Sequence, residues 1–229
     1  MNKKKLSTVR GMHDIFGKIY YNQQNIINRF VEIATLFNFT PMNTPILEHS
    51  EVFLRSLGNS SDVVMKEMYT FMDKSNDSVT LRPEGTAGIA RALISNSLTQ
   101  SLPQRYFYHG PMFRYERPQK GRLRQFHQIG VELFGKSSLY EDLEVIRLAR
   151  LFLKELNILD RVLLKINTIG KTESRSKFIK EIENFFNLHK KKLSSDSIKR
   201  LDRNPLRILD SKNLEDIELL KEAPLIYNF

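Results

Sequence analysis

The stretch from Arg105 to Gly135, RYFYHGPMFRYERPQKGRLRQFHQIGVELFG, constrains the fold of this chain more than any other. It divides into two runs of strand-like alternation around a polar, basic loop, Arg117 to Gly121, punctuated by Pro118 and Gly121. Two such runs flanking such a loop predict an antiparallel β-hairpin. In the second run a period of two sends Arg124, Phe126, Gln128, Gly130, Glu132 and Phe134 to one face. Gln125, His127, Ile129, Val131 and Leu133 take the other. One face is thus mostly apolar, and the other carries an amide and a carboxylate two positions either side of a glycine. In the first run Arg114 and Glu116 share a face by the same rule, and the loop adds Arg117, Lys120 and Arg122. A half-solvated hairpin with a charged tip accounts for this pattern without any function. Two details point further: Gly130 leaves a gap where a ligand can lie against backbone, and an arginine at a strand end can grip phosphate with two prongs.

Composition bounds the rest. A chain of 229 residues with 41% hydrophobic content can bury one good core and a small second lobe. Thirty-six basic against 26 acidic residues give a net charge of +10, which favours a polyanionic partner or substrate without naming one. The absence of cysteine excludes disulfides, thiolate catalysis and a cysteine-based zinc site. Lys3 to Lys5 are followed by no apolar targeting region, and no stretch is long enough to span a bilayer, so a soluble cytoplasmic protein is expected.

Along the chain, Arg10-Gly11-Met12-His13-Asp14 reads as a turn before a helix. Ile26, Ile27, Phe30, Ile33, Ala34 and Phe37 fall at helical spacing, so the helix is expected over Ile19 to Phe37. Pro41 and Pro45 make the following FTPMNTPILEHSEVF segment extended or a strand edge. Met68 to Met72 and Val79 to Leu81 read as strands joined by the turn formers Asp73 to Asp77. A helix is expected over Ala87 to Leu98 with Thr86 as its cap, which would put Glu84 beside the partly positive helix start. As an ordinary turn residue Glu84 would merely complement that dipole. Ser138-Leu139-Tyr140-Glu141 is a capping box, and Leu143, Ile146, Leu148, Ala149, Phe152, Leu153 and Leu156 continue as a buried-face helix. Val162 to Ile166 suggests a return strand. Beyond Gly170, Phe178, Ile182, Phe185 and Phe186 form a core stripe on a helix over Ser174 to His189, and Asn204-Pro205 marks a turn before Leu206 to Leu209.

Phe113-Arg114-Tyr115-Glu116 resembles the second signature motif of class II aminoacyl-tRNA synthetases. The longer run Arg114 to Gln128, RYERPQKGRLRQFHQ, is similar to the form found in the histidyl-tRNA synthetase family, as is Leu81 to Gly88, LRPEGTAG. Arg10-Gly11 and Asp14, then a helix followed by a proline-bearing strand, resemble that family's opening and its first motif. The resemblance implies an α+β fold, a mostly antiparallel sheet flanked by helices. It implies a class II catalytic core with the first two motifs over residues 1–170, and over 171–229 the start of the segment leading to an inserted domain. The third motif and the anticodon-binding domain are not found, so the chain is expected to be the N-terminal part of a catalytic domain, from a truncated or shortened product.

The activity implied is ligation of L-histidine to tRNA(His) through an ATP-dependent adenylate, in a homodimer, with Mg2+ accompanying ATP and no metal site in the chain itself. Carried over by position, Arg114 is the catalytic cation, touching both the histidine carboxylate and the α-phosphate. Glu84, Gly85, Thr86, Gln128 and Glu132 hold histidine, with Glu132 accepting from the imidazole. Glu116, Arg117 and Arg122 meet ATP, and Arg117 and Gln119 meet the tRNA acceptor end. His109 and His127 are left as structural. A histidine-binding regulatory subunit of ATP phosphoribosyltransferase and an inactive RNA-binding fragment stand as alternatives.

Overall fold

The computed structural model describes residues 6–58, 61, 63–136, 138–168 and 170–228. The chain forms two compact units, Met1–Val162 and Leu163–Phe229. The first opens with helix α1, Gly17–Leu36, which buries Ile27, Phe30, Ile33 and Ala34 of the expected stripe, while Ile26 is exposed and Phe37 follows the helix as its cap. Strands β1, Thr40–Pro41, and β2, Leu47–His49, follow within the proline-bearing segment. Helix α2, Ser50–Leu57, begins inside the stretch expected to stay extended. Its first residue explains why: the Ser50 hydroxyl is 2.8 Å from the hydroxyls of both Ser78 and Thr80, anchoring the helix start to a strand.

That strand is β4, Ser78–Leu81, paired antiparallel with β3, Tyr69–Met72, and with β2. Asp73 closes the β3–β4 turn by accepting from the backbone of Ser75 and Asp77 at 2.8 and 2.9 Å. Helix α3, Thr86–Ser95, follows. The hairpin consists of β5, Gln104–Phe113, and β6, Gln125–Phe134, in register from Gln104 opposite Phe134 to Phe113 opposite Gln125. It is therefore longer in the loop than the expected Arg117 to Gly121: ladder pairing stops at Phe113 and resumes at Gln125. Among the described residues the strands lie in two three-stranded sheets, β1-β5-β6 and β2-β4-β3, with β1 and β5 parallel and the other pairs antiparallel. A backbone bond from Phe113 N to Arg82 O, 3.0 Å, joins the end of β5 to the residue after β4.

Helix α4, Leu139–Glu155, starts on the expected cap: the Ser138 hydroxyl bonds Glu141 and accepts from Tyr140 N. It packs on α1 and the sheet, where the Phe30 ring meets Phe107 and Phe152 edge-on at 6.0 and 5.6 Å. Val162 to Ile166 forms no ladder, contrary to the return strand expected of it, and Leu163, Leu164 and Ile166 are exposed. Alternation can dispose residues for a strand, but pairing needs an edge within reach.

The second unit is helical. Helices α5, Thr172–Leu188, α6, Ser195–Leu201, and α7, Leu214–Leu220, surround a core that includes Phe178, Ile182, Phe186, Leu201, Ile208 and Leu219. Phe178, Ile182 and Phe186 are buried as expected, with Phe185 packed beside them. Leu206 to Leu209 lie in a short 3-10 helix, Pro205–Asp210. Asp216 is fully buried and gathers four donors: Ser194 N at 2.9 Å and the hydroxyls of Ser194, Ser197 and Ser211 at 2.7, 2.6 and 2.5 Å. No helix among the described residues is long and apolar enough to cross a membrane.

A candidate amino-acid and nucleotide site on the hairpin

The turn Arg82-Pro83-Glu84-Gly85-Thr86, between β4 and α3, is the centre onto which the expected residues converge. Its position is set by Arg82, whose buried guanidinium donates to Pro111 O at 3.0 Å and Thr44 O at 2.9 Å. Burial lowers the Arg82 pKa, and the charge of Glu48 opposes the shift only in part. Glu84, also buried, accepts from Thr86 N through one oxygen and Ala87 N through the other, at 2.7 and 2.8 Å. The cap of α3 is therefore the Glu84 carboxylate, and the expectation that Thr86 caps the helix is corrected. The reason is geometric: the helix starts at Thr86 itself, so its hydroxyl points away from the first free N–H groups, whereas a side chain two residues earlier reaches them.

The Thr86 hydroxyl instead donates to Glu132 Oε1 on β6 at 2.7 Å. Gly85 N donates to Gln128 Oε1 at 3.0 Å. Arg114, just past β5, donates from Nε to Pro83 O at 2.8 Å and lies over the Phe126 ring at 5.3 Å. Glu84, Gly85, Thr86, Arg114, Gln128 and Glu132 thus meet around five residues of backbone. Each bonded oxygen of Glu84, Gln128 and Glu132 retains a second lone pair for a ligand N–H. The guanidinium of Arg114, a quarter exposed, retains its two terminal nitrogens for oxygens, with Glu116 4.0 Å away.

Tyr108 was not singled out by sequence pattern, and it shapes this pocket. It sits opposite Gly130 in the ladder. A Cβ on Gly85 would come within 2.1 Å of its ring, and one on Gly130 within 2.5 Å. The gap expected beside Gly130 is thus filled by the Tyr108 ring, a correction whose cause is the register: the side chain opposite a glycine can lean across it. The two glycines facing a tyrosine were the available signal, but neither pairing can be known without the register. The Tyr108 hydroxyl reaches Thr86 and Glu132, and burial, joined by the charges of Glu132 and Glu84, pushes its pKa up to about 12. Burial likewise raises the Glu132 pKa, with Glu84 adding to the rise, while the hydroxyls of Thr86 and Tyr108 oppose it.

Substituting Gly130 by alanine tests this packing. Displacing the ring is expected to destabilise the first unit by about 1–3 kcal/mol. Urea unfolding followed by tyrosine fluorescence measures it; an unchanged midpoint would mean that the ring has somewhere else to go.

The loop residues are less enclosed. Glu116 pairs with Arg122 at 3.3 Å, and a small turn links Gln119 and Arg122 through backbone bonds of 3.2 and 2.9 Å. Arg117 and Gln119 are exposed. Burial lowers the pKa of His127, and the charge of His109 adds to it. Among the described residues no three His, Cys, Asp or Glu side chains cluster to hold a metal ion. Chemically, two carboxylates and a guanidinium anchored on one turn suit a zwitterion with an ammonium at one end and a carboxylate at the other, and the basic loop beside it suits phosphates.

Comparison with known proteins gives a consistent result. The family model described as histidyl-tRNA synthetase matches residues 11–176. The chain is 52% identical over 224 residues to the histidine–tRNA ligase of Gluconacetobacter diazotrophicus and 47% identical over 226 residues to that of Orientia tsutsugamushi. Each alignment covers 98% of this chain, but 54% and 53% of those proteins, so the chain spans about half the length of the curated relatives it matches. Among solved structures, apo histidyl-tRNA synthetase from Staphylococcus aureus superposes with a TM-score of 0.68 at 31% identity, over 95% of this chain and 54% of that one. A Bacillus halodurans structure titled as an ATP phosphoribosyltransferase regulatory subunit/histidyl-tRNA synthetase shares the fold at a TM-score of 0.60 and 20% identity, over 97% of this chain and 66% of that one.

Proposed function

We propose that this chain, which belongs to the histidyl-tRNA synthetase family, binds L-histidine and ATP for formation of histidyl-adenylate and presents the activated acyl group to the 3′ end of tRNA(His). The observation that carries this reading is the convergence of Glu84, Arg114, Gln128 and Glu132 on the Arg82–Thr86 turn. The histidine α-ammonium lies against the remaining lone pairs of Glu84 and Gln128, and the imidazole N–H against Glu132. Tyr108 and Thr86 both donate to Glu132, whose remaining lone pairs are left to accept the imidazole N–H.

In the first step an oxygen of the histidine carboxylate attacks the α-phosphorus of ATP. A bond to that oxygen forms as the bond to the bridging oxygen breaks, and pyrophosphate leaves. Negative charge on the non-bridging oxygens grows during the displacement. Arg114, held by Pro83 O and by the Phe126 ring, supplies a preoriented cation where that charge develops. Arg117 and Arg122 meet the phosphates, Glu116 the adenine, and Gln119 with Arg117 the acceptor end of the tRNA. In the second step a hydroxyl of the terminal adenosine attacks the acyl carbon, and AMP leaves. A homodimer built through the first helix and the strand after it belongs to the same reading, supported by exposed Phe16, Ile19 and Tyr21 at that helix.

The test is histidine-dependent exchange of labelled pyrophosphate into ATP by the natural polypeptide that carries this sequence, alongside equilibrium binding of histidine to the same preparation. Exchange that needs histidine and no other amino acid supports the reading. Histidine binding without exchange would favour a regulatory role, and tRNA binding that falls steeply with salt and discriminates between no tRNAs would favour a purely electrostatic RNA binder.

A further inference from the structure

The residues just assigned leave unused a contact made by the start of the chain. Met12 N donates to Val9 O at 2.9 Å, closing a turn in which Gly11 is buried and has φ +80°. The Gly11 carbonyl accepts from Arg124 N at 2.8 Å and from Gln125 N at 3.3 Å. These are the last residue of the hairpin loop and the first of β6, more than a hundred residues away in sequence. Arg124 in turn holds the other arm of the loop in three ways. Its carbonyl accepts from Arg114 N at 2.9 Å, its Nε donates to Glu116 O at 3.2 Å, and its guanidinium stacks 3.8 Å over the Tyr115 ring. Tyr115 is itself fixed from outside, by a 2.7 Å bond from its N to Glu67 O and by the edge of Tyr69 at 5.5 Å.

Gly11 also touches the loop sterically. A Cβ there would lie 3.0 Å from Arg124 Cγ and 3.0 Å from Pro118 Cγ, so one glycine packs against both the outgoing and the returning arm. By contrast, Arg117, Gln119, Lys120, Gly121 and Arg122 are exposed. A loop with so exposed a tip loses conformational freedom on binding a ligand unless something orders it beforehand.

We infer that the Val9–Met12 turn is a latch that holds the Arg114–Arg124 loop in place, and that Gly11 is a positioning residue for nucleotide binding by that loop. The nucleotide part rests on the proposed function; the latch does not. Gly11→Ala would force an L side chain into a left-handed conformation and push Arg124 and Pro118 aside. Gly17→Ala is the matched control, because Gly17 has φ +57° in the same part of the chain but a Cβ there meets no atom within 4 Å.

Trypsin reads the latch directly, since Lys120, Arg122 and Arg124 are cleavage sites within the loop. In the 229-residue chain, Gly11→Ala should raise the cleavage rate at these three bonds about tenfold over that at sites elsewhere in the first unit, with Gly17→Ala at the wild-type rate. Cleavage in the loop unchanged by Gly11→Ala would overturn the latch, and so would a rise spread evenly over the chain, which would mark Gly11 as a folding residue only. Should Gly11→Ala not fold, amide exchange of the unaltered chain decides: the Arg124 amide must be protected, and exchange there at the rate of a free amide overturns the inference. In the natural polypeptide Gly11→Ala should raise the KM for ATP about tenfold and that for histidine less, because Arg124 holds Arg114, which both substrates share, whereas Glu84, Gln128 and Glu132 bond to the Arg82–Thr86 turn. Equal changes in both constants would refute the nucleotide-positioning role even with the latch intact. Loss of wild-type exchange altogether would count against the proposed function, with loop cleavage still deciding the latch.

Discussion

Replacing Arg114 by alanine is expected to lower histidine-dependent ATP–pyrophosphate exchange in the natural polypeptide by at least about a hundredfold, the scale of losing one charged donor to a transition state. The effect on folding should be small by comparison. Arg114 makes one side-chain hydrogen bond to backbone, to Pro83 O, and its stacking on Phe126 is partly exposed. Together these are worth about 1–2 kcal/mol. Arg114→Lys keeps the charge but has no Nε to donate to Pro83 O while its head reaches the phosphate, so it should recover only part of the lost rate. If it restored full activity, charge alone would suffice and the orienting bond would be irrelevant. Exchange persisting at near wild-type rate in Arg114→Ala would remove the mechanism, since among the described residues Arg114 is the cation that bonds the Arg82–Thr86 turn from the hairpin side.

The second large effect concerns folding of the C-terminal unit and is independent of any substrate. Asp216→Ala deletes the acceptor of three serine hydroxyls and the Ser194 amide, in a position with no exposure. Stranding several buried donors should cost about 3 kcal/mol or more, enough to unfold a unit of this size at moderate temperature. The same carboxylate predicts a pH dependence. Burial pushes its pKa up, but the Ser194 amide and the hydroxyls of Ser197, Ser211 and Ser194 outweigh burial and hold it down to about 2, against 3.8 when free. A depressed carboxylate stabilises the fold above its free pKa and loses that contribution as pH falls through its folded one. Stability of about 2 kcal/mol is therefore present above about pH 4 and disappears between there and about pH 2. Circular dichroism of the wild-type chain and of Asp216→Asn through acid titration checks both claims: the variant should start less stable and lose less on acidification. A variant with the wild-type acid profile would show that another group carries the transition.

How far a sequence reaches into this molecule depends on the distance over which each feature acts. Helix α1, helix α5 with its aromatic stripe, Ser138 as the cap of α4 and the pairing of the two hairpin strands follow from spacings of two to four residues and are present. Ser138, however, caps Tyr140 N and meets the Glu141 carboxylate instead of forming the reciprocal box, and the strands stop short of the expected loop. The candidate residues Glu84, Arg114, Gln128 and Glu132 came from the resemblance of two long runs, and their alternation on β6 already placed Gln128 and Glu132 on one face. Features that needed a partner elsewhere were not legible. Val162 to Ile166 has the composition of a strand but forms no ladder. Thr86 has the chemistry of a cap, yet Glu84 takes the helix amides because the helix starts one residue earlier than expected, leaving Thr86 to reach for Glu132.

By itself, the sequence determined the α+β class, the hairpin and the charged residues that line it, because backbone periodicity and side-chain chemistry are local properties. Only the tertiary structure decided what fills the space between them. Tyr108 occupies the room left by Gly85 and Gly130, Gln128 turns its carbonyl oxygen to Gly85, and Gly11 reaches across the chain to hold the loop at Arg124. Each of these depends on strand register and on contacts between segments from about 20 to more than a hundred residues apart. A one-residue slip of β6 would turn Gln128, Gly130 and Glu132 to the opposite face and dissolve the site without changing a letter of the sequence.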